Sequence, residues 1–541
     1  MEAHGGRLAV EVLRGFGVDT MFTLSGGHLF VLYDGAVQAG DDFRLVDTRH
    51  EQTAVFAAEG WAKVTRQLGC AAITAGPGVT NGVSAMTAAG MNGSPLIVLA
   101  GRAPQQRWGA GSLQELDHVP IVAPVTKRAA TATSAASIVA EVDAACVAAT
   151  TPHRGPTFVD IPLDAFGPGD IELAAVGGAR RGAEPDGDDV ARVAKLIAGA
   201  SRPVLVAGGD VYWAEAEHEM RRFVEQARVP TFVNGMGRGT LPADHELAFS
   251  RARSIALKQA DLVLVAGTPL DFRLGFGRFG DAQVVHLCDA ESQVAAHANL
   301  AASTAGDLAQ TFRALADLGA PAASSSARGD WVGLLRDDER SKRAAEAPML
   351  EADSAPIKPA RIYGELRARL ARDAIVIGDG GDFVSYAGKF VDSYQPGTFL
   401  DPGPYGCLGM GPGYALAAGL AHPDRQVVLL LGDGAIGFAL GDFESLVRHG
   451  VNVVAIVGNN GIWGLEKHPM QALFGYDVVA ELSPGIRYDE VVAALGGRGE
   501  LVTEPSDIGP ALDRAFAEPG VSLVNVLTDP ADAYPRSSNL A

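Results

Sequence analysis

Short runs of apolar residues recur along the whole chain, each followed by a glycine-containing turn and then by a segment with one apolar and one polar face. Runs at 70–74 and 95–99, for example, flank a segment at 79–90 that has helical spacing. A continuous apolar run between turn residues is typical of a strand that is buried on both faces. The alternation of such strands with helices predicts an α/β protein with parallel sheets.

Three such α/β units follow one another, and we place them at 1–176, 190–330 and 355–541. A stretch at 177–189 that contains glycine, proline and alternating charges is typical of a linker. Low-complexity, charged and proline-containing residues mark the second connection, at 319–359. The predicted strands lie at 70–74, 95–99 and 157–161 in the first unit, at 203–207, 231–233, 262–266 and 284–287 in the second, and at 374–377, 426–431, 451–458 and 522–527 in the third.

Composition and charge narrow the class of protein. A length of 541 residues exceeds what one hydrophobic core supports, which agrees with several units. Hydrophobic residues make up 47% of the chain and charged residues 20%, as in ordinary globular proteins and unlike disordered ones. The formal net charge is −20 and no basic stripe is present, so nucleic acid is not an expected partner.

The run from Cys70 to Gly101 contains no charged residue, which raises the alternative of a membrane span. It also contains Gly76-Pro77-Gly78 and Ser94-Pro95, which would break a span, so buried strands and turns explain it better. The N-terminus lacks the basic start and apolar core of a signal peptide. The four cysteines form no C-x-x-C pair, as expected in a reducing compartment. We therefore expect a cytoplasmic protein with no membrane partner.

Two polar turns in the third unit follow apolar strands. The strand at 427–431 runs into Gly432-Asp433-Gly434, and the strand at 453–457 ends at Gly458-Asn459-Asn460. Asp433 and Asn460 are 27 residues apart, about the length of one strand–helix–strand crossover. Such a crossover brings both residues to the carboxyl edge of one parallel sheet, where α/β proteins bind ligands. Mg²⁺ prefers hard oxygen ligands and shares its shell with phosphates, so the pair predicts a magnesium–diphosphate site.

This pair of turns resembles the signature of thiamine diphosphate enzymes. The resemblance implies that Mg²⁺ is held by Asp433, Asn460 and the main-chain oxygen of Ile462. It also implies that the coenzyme's diphosphate lies against the glycine turn, where main-chain amides approach it closely. The residues assigned to that contact are Gly432, Asp433, Gly434, Ala435, Asn460 and Ile462.

In the first unit, the run from His50 to Gly60 matches in full the family pattern His-Glu-x-x-Ala-x-x-x-Ala-x-Gly. The resemblance implies that Glu51 hydrogen-bonds the aminopyrimidine ring of the coenzyme and activates it, and Asn81 is assigned to the same site. A glutamate at a helix start is otherwise a solvated residue of the first turn. The family bends the coenzyme over a bulky apolar side chain, for which Leu408 is the first candidate and Met410 the second.

The resemblance covers nearly the whole chain, in the order pyrimidine-binding domain, central Rossmann-like domain, diphosphate-binding domain. In this family the activating glutamate and the diphosphate site come from different subunits, which implies a homodimer at least and commonly a homotetramer. The catalytic candidates besides Glu51 are His28 in a Gly-Gly-His turn, Gln114, and Glu490, for which a solvated helix position is the favoured alternative.

Several members of the family share this layout. The segment after Asn460 lacks the Met-Val-x-Gln-Trp-Gln run of acetolactate synthases, and the stretch around Glu490 resembles acyl-CoA lyases. We therefore expect a 2-hydroxyacyl-CoA lyase that gives formyl-CoA and a ketone or aldehyde. The alternatives are an acetolactate synthase-like carboligase or a 2-keto acid decarboxylase acting on pyruvate-type substrates. A non-catalytic relative is disfavoured because Glu51, Asp433 and Asn460 are intact.

A nucleotide site is expected in the second unit. Arg238, Arg253 and Arg273 are candidates to hold the ADP moiety of CoA there. However, Asp210 stands where oxalyl-CoA decarboxylase-like chains carry a lysine, which leaves the mode of CoA binding open. FAD in the central domain is the alternative.

Overall fold

The computed structural model describes residues 2–170, 182–319, 325–532 and 534. Within these residues, three parallel sheets of six, five and six strands alternate with helices along the chain, which confirms the predicted α/β class. Each predicted strand overlaps an observed one, and the predicted and observed ends differ by at most three residues.

The first sheet has six parallel strands, and a short antiparallel pair joins the beginning and end of the unit. The antiparallel pair consists of β1 (Glu2–His4) and β8 (Pro168–Asp170). The sheet contains β2 (Thr20–Thr23), β3 (Arg44–Asp47), β4 (Gly69–Ile73), β5 (Leu96–Arg102), β6 (Arg128–Thr131) and β7 (Pro156–Pro162), and the helices of the unit are α1 (Gly5–Gly15), α2 (Phe30–Gln38), α3 (Glu51–Thr65), α4 (Pro77–Met91), α5 (Val119–Val122) and α6 (Ala135–Thr150). The parallel strands lie in the order β3-β2-β4-β5-β7-β6.

The second sheet has five parallel strands. Its elements are α7 (Gly187–Gly199), β9 (Pro203–Ala207), α8 (Gly209–Trp213), α9 (Glu217–Ala227), β10 (Thr231–Val233), α10 (Arg253–Gln259), β11 (Leu262–Ala266), β12 (Gln283–Cys288), β13 (Ala302–Ala305) and α11 (Leu308–Asp317). The strands lie in the order β10-β9-β11-β12-β13, and β9 and β11 are buried on both faces, as their unbroken apolar runs predict.

The third sheet again has six parallel strands. Its elements, with the helix that precedes them, are α12 (Ser325–Leu350), α13 (Pro359–Arg367), β14 (Ile375–Asp379), α14 (Gly381–Phe390), β15 (Phe399–Leu400), α15 (Gly411–Ala421), β16 (Val427–Gly432), α16 (Asp433–Ala439), α17 (Phe443–Arg448), β17 (Val453–Asn459), α18 (Gly464–Phe474), α19 (Tyr488–Ala494), β18 (Arg498–Val502), α20 (Ile508–Ala517) and β19 (Val521–Leu527). The strands lie in the order β15-β14-β16-β17-β19-β18.

The two six-stranded sheets have the same strand order when their strands are counted from the first parallel one. In each sheet the second parallel strand lies on one side of the first, and the third lies on its other side. At such a reversal of strand order, a crevice opens between the first and third strands at their carboxyl ends. The crevice of the first sheet lies between β2 and β4, and that of the third lies between β14 and β16. These two positions are where ligand-binding residues are expected.

The first and third units pack through α3 and α15. Gly60 and Gly413 allow this close approach, because a Cβ atom on Gly60 would lie 2.9 Å from Tyr414 Cα and one on Gly413 would lie 2.9 Å from Phe56 Cβ. A buried polar network crosses the same contact: Glu59 accepts hydrogen bonds from Lys63 and from Tyr414. Since Glu51 begins α3, the packing fixes the helix that carries it.

The connection predicted at 319–359 differs from expectation in one respect, because much of it forms the long helix α12. Trp331 and Leu335 are buried against the second unit, and Arg328 donates hydrogen bonds to the main-chain oxygens of Ala200 and Ala227. These contacts hold a charge-rich segment in a helix. Residues 171–181, 320–324 and 535–541, which include parts of both predicted connections and of the C-terminal tail, lie outside the described residues. The unit boundaries themselves stay predictions.

Among the residues that the structure describes, no helix combines the length and apolar character needed to cross a membrane. The uncharged run at 70–101 forms β4, α4 and β5, as predicted.

Candidate active site

Glu51 is the first residue of α3, directly after the carboxyl end of β3. The ring of His50 caps the helix by accepting a hydrogen bond from the Gln52 amide. The Glu51 side chain is buried, with 7% of its surface exposed, and Asn81 Nδ2 donates a 3.0 Å hydrogen bond to Glu51 Oε2. A Cβ atom on Gly78 would lie 3.4 Å from Glu51 Oε1. The carboxyl is therefore enclosed by α4 and is not a solvated residue of a first turn.

His28 and Gln114 each lie near the segment that follows β4, beside the crevice of the first sheet. His28 follows β2, is buried, and has its Nδ1 3.3 Å from Thr74 Oγ1. Burial lowers the pKa of His28, so its imidazole is neutral at neutral pH. Gln114 adopts a positive φ of 58°, and a Cβ atom on Gly76 would lie 3.0 Å from Gln114 Cβ. Both side chains thus lie against the segment that follows β4.

Asp433 and Asn460 meet at the carboxyl ends of the neighbouring strands β16 and β17, as the 27-residue spacing predicts. Asp433 is buried; its Oδ2 accepts a 2.6 Å hydrogen bond from the Gly461 amide and its Oδ1 a 3.0 Å bond from the Gly434 amide. Asn460 Oδ1 accepts a 3.2 Å bond from the Ile462 amide. Carboxylate and amide oxygens therefore converge at one turn.

The electrostatics of Asp433 fit a cation. Burial raises its pKa to about 6, and the hydrogen bonds that oppose this shift come from neutral backbone amides. A buried carboxylate without a positive partner is unfavourable, and a divalent ion at its oxygens removes that cost. The donor set matches the hard oxygen ligands that Mg²⁺ prefers.

Glycines leave room beside this turn. A Cβ atom on Gly432 or Gly381 would meet no described residue within 4 Å, so open space adjoins both positions. Gly434 is different, because its Cβ would lie 2.4 Å from the ring of Trp463. The turn is therefore open on one side and closed by an aromatic ring on the other, as a cradle for a diphosphate group requires.

Of the two apolar candidates for bending the coenzyme, only one is partly exposed. Met410 is fully buried in the core, whereas Leu408 is half-buried, and a Cβ atom on Gly380 would lie 3.1 Å from Leu408 Cδ2. The buried carboxylate of Asp379 holds this segment by accepting a 3.0 Å bond from the Gly409 amide and a 2.8 Å bond from the Gly411 amide. The geometry favours Leu408 over Met410 for a contact with a ligand.

Glu490 is exposed and pairs with Arg487 at 2.9 Å. Its neighbours are buried instead: Tyr488 donates a 3.2 Å hydrogen bond to the main-chain oxygen of Asp433, and Asp489 accepts one from Asn525. The exposure of Glu490 agrees with the solvated alternative.

Sequence reasoning missed Asp379 and Tyr488. Asp379 carried a signal that was available, because Gly378-Asp379-Gly380 ends an apolar strand just as Gly432-Asp433-Gly434 does.

The three central arginines separate into two groups. Arg238 and Arg253 line a cavity of about 720 Å³ between the second unit and α12 and α14, whereas Arg273 is not part of its lining and pairs with Asp271 at 2.7 Å. Arg253 Nη2 is buried without a hydrogen-bond partner among the described residues. We call this space the cationic cavity, because six lining residues are basic and only two, Glu346 and Asp392, are acidic. The six are Arg238, Arg251, Arg253, Lys342, Arg343 and Lys389.

Three family models match the chain in succession. The model described as thiamine pyrophosphate enzyme, N-terminal TPP binding domain, matches residues 3–121. The central-domain model of the same family matches residues 190–315, and the C-terminal TPP binding domain matches residues 379–526.

Curated relatives match over nearly the full chain. The chain is 55% identical over 549 residues to the acetolactate synthase large subunit IlvG of Mycobacterium tuberculosis (strain ATCC 25618 / H37Rv), which covers 99% of this chain and 98% of that protein. It is 33% identical over 581 residues to 2-hydroxyacyl-CoA lyase 2 of Caenorhabditis elegans, and the match covers 98% of this chain and 90% of that protein. It is 32% identical over 551 residues to the human protein of the same name, and the match covers 93% of this chain and 86% of that protein. The sequence identity to the acetolactate synthase is therefore higher than the identity to either 2-hydroxyacyl-CoA lyase.

Proposed function

Because the chain belongs to the thiamine pyrophosphate enzyme family, as its motifs predicted, we propose that it is an acetolactate synthase-like carboligase that joins pyruvate-type 2-keto acids with thiamine diphosphate and Mg²⁺. The observation that carries this choice is the 55% identity to an acetolactate synthase large subunit over 99% of the chain. It favours the carboligase over the 2-hydroxyacyl-CoA lyase that the sequence motifs first suggested, since the lyases are about 30% identical.

The arrangement of the chain's own residues supports this chemistry. When bound, the coenzyme would supply a carbon nucleophile for the substrate carbonyl and a positively charged thiazolium ring that accepts the electron pair left as CO₂ departs. Asp433, Asn460 and the main-chain oxygen of Ile462 would hold Mg²⁺ and, with it, the diphosphate. Glu51, fixed by Asn81, would hold the aminopyrimidine ring in the tautomer that takes up a proton.

His28 and Gln114 would act on the substrate. The neutral imidazole of His28 can accept or donate a proton at a substrate oxygen at neutral pH. The backbone and Cβ of Gln114 lie against the Gly76 turn, and its side-chain amide would orient the same oxygen by a hydrogen bond. Leu408 would be the apolar side chain over which the coenzyme bends.

We also propose that the enzyme works in the cytoplasm as a homodimer at least, and as a homotetramer by analogy with its family. Large apolar side chains are exposed in segments that carry site residues, including Phe30 near His28, Leu113 beside Gln114 and Phe438 in the helix of Asp433. Val479, which is 96% exposed, lies in the segment after Asn460. Exposed apolar groups around a site are typical of a surface that a second subunit covers.

The test is a product balance with pyruvate. Enzyme loaded with thiamine diphosphate and Mg²⁺ should convert two pyruvates into one acetolactate and one CO₂, measured by mass spectrometry and gas release. Glu51→Gln is the matched inactive control. Release of acetaldehyde and CO₂ in equal amounts would instead indicate a decarboxylase. Failure to consume pyruvate, together with cleavage of a short 2-hydroxyacyl-CoA, would overturn the proposal.

The cationic cavity favours 2-hydroxyacyl-CoA lyase as a second candidate. A chain of net charge −20 concentrates six basic residues there, and the unpartnered Arg253 Nη2 suits a phosphate oxygen. Calorimetric titration with CoA or ADP should then show binding that Arg253→Met weakens at least tenfold, whereas the exposed Arg278→Met does not. Native mass spectrometry of the purified enzyme would show whether ADP, CoA or FAD is retained; bound FAD would favour the synthase.

A further inference from the structure

We propose that His118 is a positioning residue of the active site, which holds the Gly76-Pro77-Gly78 turn in the place that both Gln114 and Glu51 require. No motif marks this residue. The proposal rests on the role assigned to Glu51 above and does not depend on which substrate the enzyme uses.

His118 and Asp160 form a fully buried pair, with 0% of either side chain exposed. The Gly76 amide donates a 2.9 Å hydrogen bond to His118 Nε2, so this nitrogen carries no proton. The proton is therefore on Nδ1, which donates a 2.8 Å bond to Asp160 Oδ2. The ring is neutral, and its tautomer is fixed by its two partners.

The pair is anchored on two neighbouring strands of the first sheet. Asp160 lies in β7, and Arg102, at the end of the neighbouring β5, donates a 2.8 Å bond to the same oxygen, Asp160 Oδ2. Arg102 also binds Asp117, the residue before His118, and its guanidinium stacks 4.1 Å from the centre of the Trp108 ring. The imidazole thus cannot rotate without breaking its bonds to Asp160 in β7 and to the Gly76 amide.

The turn that His118 holds touches both functional groups. Gly76 has φ 58° and ψ −110°, a conformation that suits glycine, and it precedes α4. A Cβ atom at this position would lie 3.0 Å from Gln114 Cβ, and one on Gly78 would lie 3.4 Å from Glu51 Oε1. One helical turn later, Asn81 donates its hydrogen bond to Glu51. A shift of Gly76 would therefore be transmitted to both groups.

A purely structural role for His118 would predict lower stability without a specific effect on turnover. The two roles can be separated by variants that each keep part of the pair. His118→Gln places an amide oxygen where Nε2 lies and retains an acceptor for the Gly76 amide. His118→Asn reaches only the position of Nδ1, so it keeps a donor to Asp160 but loses the bond to Gly76. His118→Leu removes both.

The experiment compares these variants in the full-length enzyme by hydrogen–deuterium exchange of the peptide that contains Gly76, and by kcat and KM. We expect the Asn and Leu variants to exchange the Gly76 amide at least tenfold faster and to lose at least tenfold in kcat with KM changed less than threefold. The Gln variant should keep both values within threefold of the wild type.

Either of two results would overturn the proposal: fast exchange in the Asn variant with normal kcat, or a Gln variant that loses kcat as the Asn variant does. If the Leu variant does not fold, the Gln and Asn variants still decide, since each retains one of the two hydrogen bonds of His118. Exchange is measured without substrate, so this outcome stays distinct from failure of the carboligase assignment.

Discussion

Asn81 Nδ2 donates a 3.0 Å hydrogen bond to Glu51 Oε2, and this bond joins two helices that begin at the same edge of the first sheet. A buried carboxyl without a donor is costly, so the bond stabilises Glu51 in its enclosed position. The remaining oxygen of Glu51 faces the first turn of α4 near Gly78. The carboxyl is thus held in one orientation before any ligand binds.

Replacing Glu51 with glutamine should remove turnover and leave the fold intact. Glutamine has nearly the same size, and its carbonyl oxygen can accept the bond from Asn81, but it does not exchange a proton. Loss of a proton-transferring group typically costs about 10²–10⁴ in rate. We expect kcat to fall in that range, with coenzyme affinity by calorimetry changed little. Glu518→Gln, at an exposed position, is the control, and near-normal kcat in Glu51→Gln would contradict the activator role.

Replacing Gly434 with alanine should destabilise the protein, because the new Cβ would lie 2.4 Å from the Trp463 ring. Overpacking of this kind costs about 1–3 kcal/mol. Gly437 is a matched control in the same helix, since its Cβ would meet no described residue within 4 Å. Gly437→Ala should be neutral or stabilising, as alanine favours helix formation. Urea unfolding of both variants checks the difference, and equal stabilities would show that Trp463 can move aside.

Local patterns predicted the parts of the site that follow strands directly. Asp433 and Asn460 were predictable because each follows an apolar strand and their separation matches one crossover. Glu51 was predictable from a motif within a single helix start. These signals are contained in short segments whose conformation the sequence specifies by itself.

The contact made by His118 and the hydrogen-bond partners of Asp379 were not predictable in this way. His118 accepts a hydrogen bond from Gly76, 42 residues away, and it precedes a four-residue helix with no periodic pattern. Asp379 accepts hydrogen bonds from the main-chain amides of Gly409 and Gly411, which are 30 and 32 residues later in the chain. These amides come close to Asp379 only when α15 packs against the third sheet. The charged part of α12 has the sequence pattern of a connection because its few apolar contacts, such as those of Trp331 and Leu335, are made with another unit.

Replacing Asp379 with asparagine should change how stability depends on pH. Burial raises the pKa of Asp379 to about 6, compared with about 3.9 for an exposed aspartate. Between about pH 4 and pH 6 the folded state therefore binds a proton that the unfolded state does not, and the unfolding free energy falls as pH rises. The shift of about two units corresponds to about 3 kcal/mol.

The measurement is urea unfolding of wild type and Asp379→Asn at about pH 4.5 and about pH 7. The wild type should lose about 2 kcal/mol relative to the variant across that interval, because asparagine does not titrate. Asp433 has a raised pKa in the same window, but it is present in both proteins and cancels in the difference. If the unfolding free energies of the wild type and the variant differed by the same amount at both pH values, the raised pKa of the buried Asp379 would be contradicted.

Replacing Asp433 with asparagine should weaken the binding of Mg²⁺ together with thiamine diphosphate. The carboxylate is buried, and its hydrogen bonds come from neutral amides, so it is the negative charge at this turn that would attract the ion. Saturating ligand should raise the unfolding temperature of the wild type, and chelation by EDTA should reverse that rise. The variant should show less than half of the rise, although its unfolding temperature without ligand stays close to that of the wild type. Asp424→Asn, exposed before the opposite end of β16, should behave as the wild type. A full ligand-induced rise in the Asp433 variant would mean that the metal is held elsewhere.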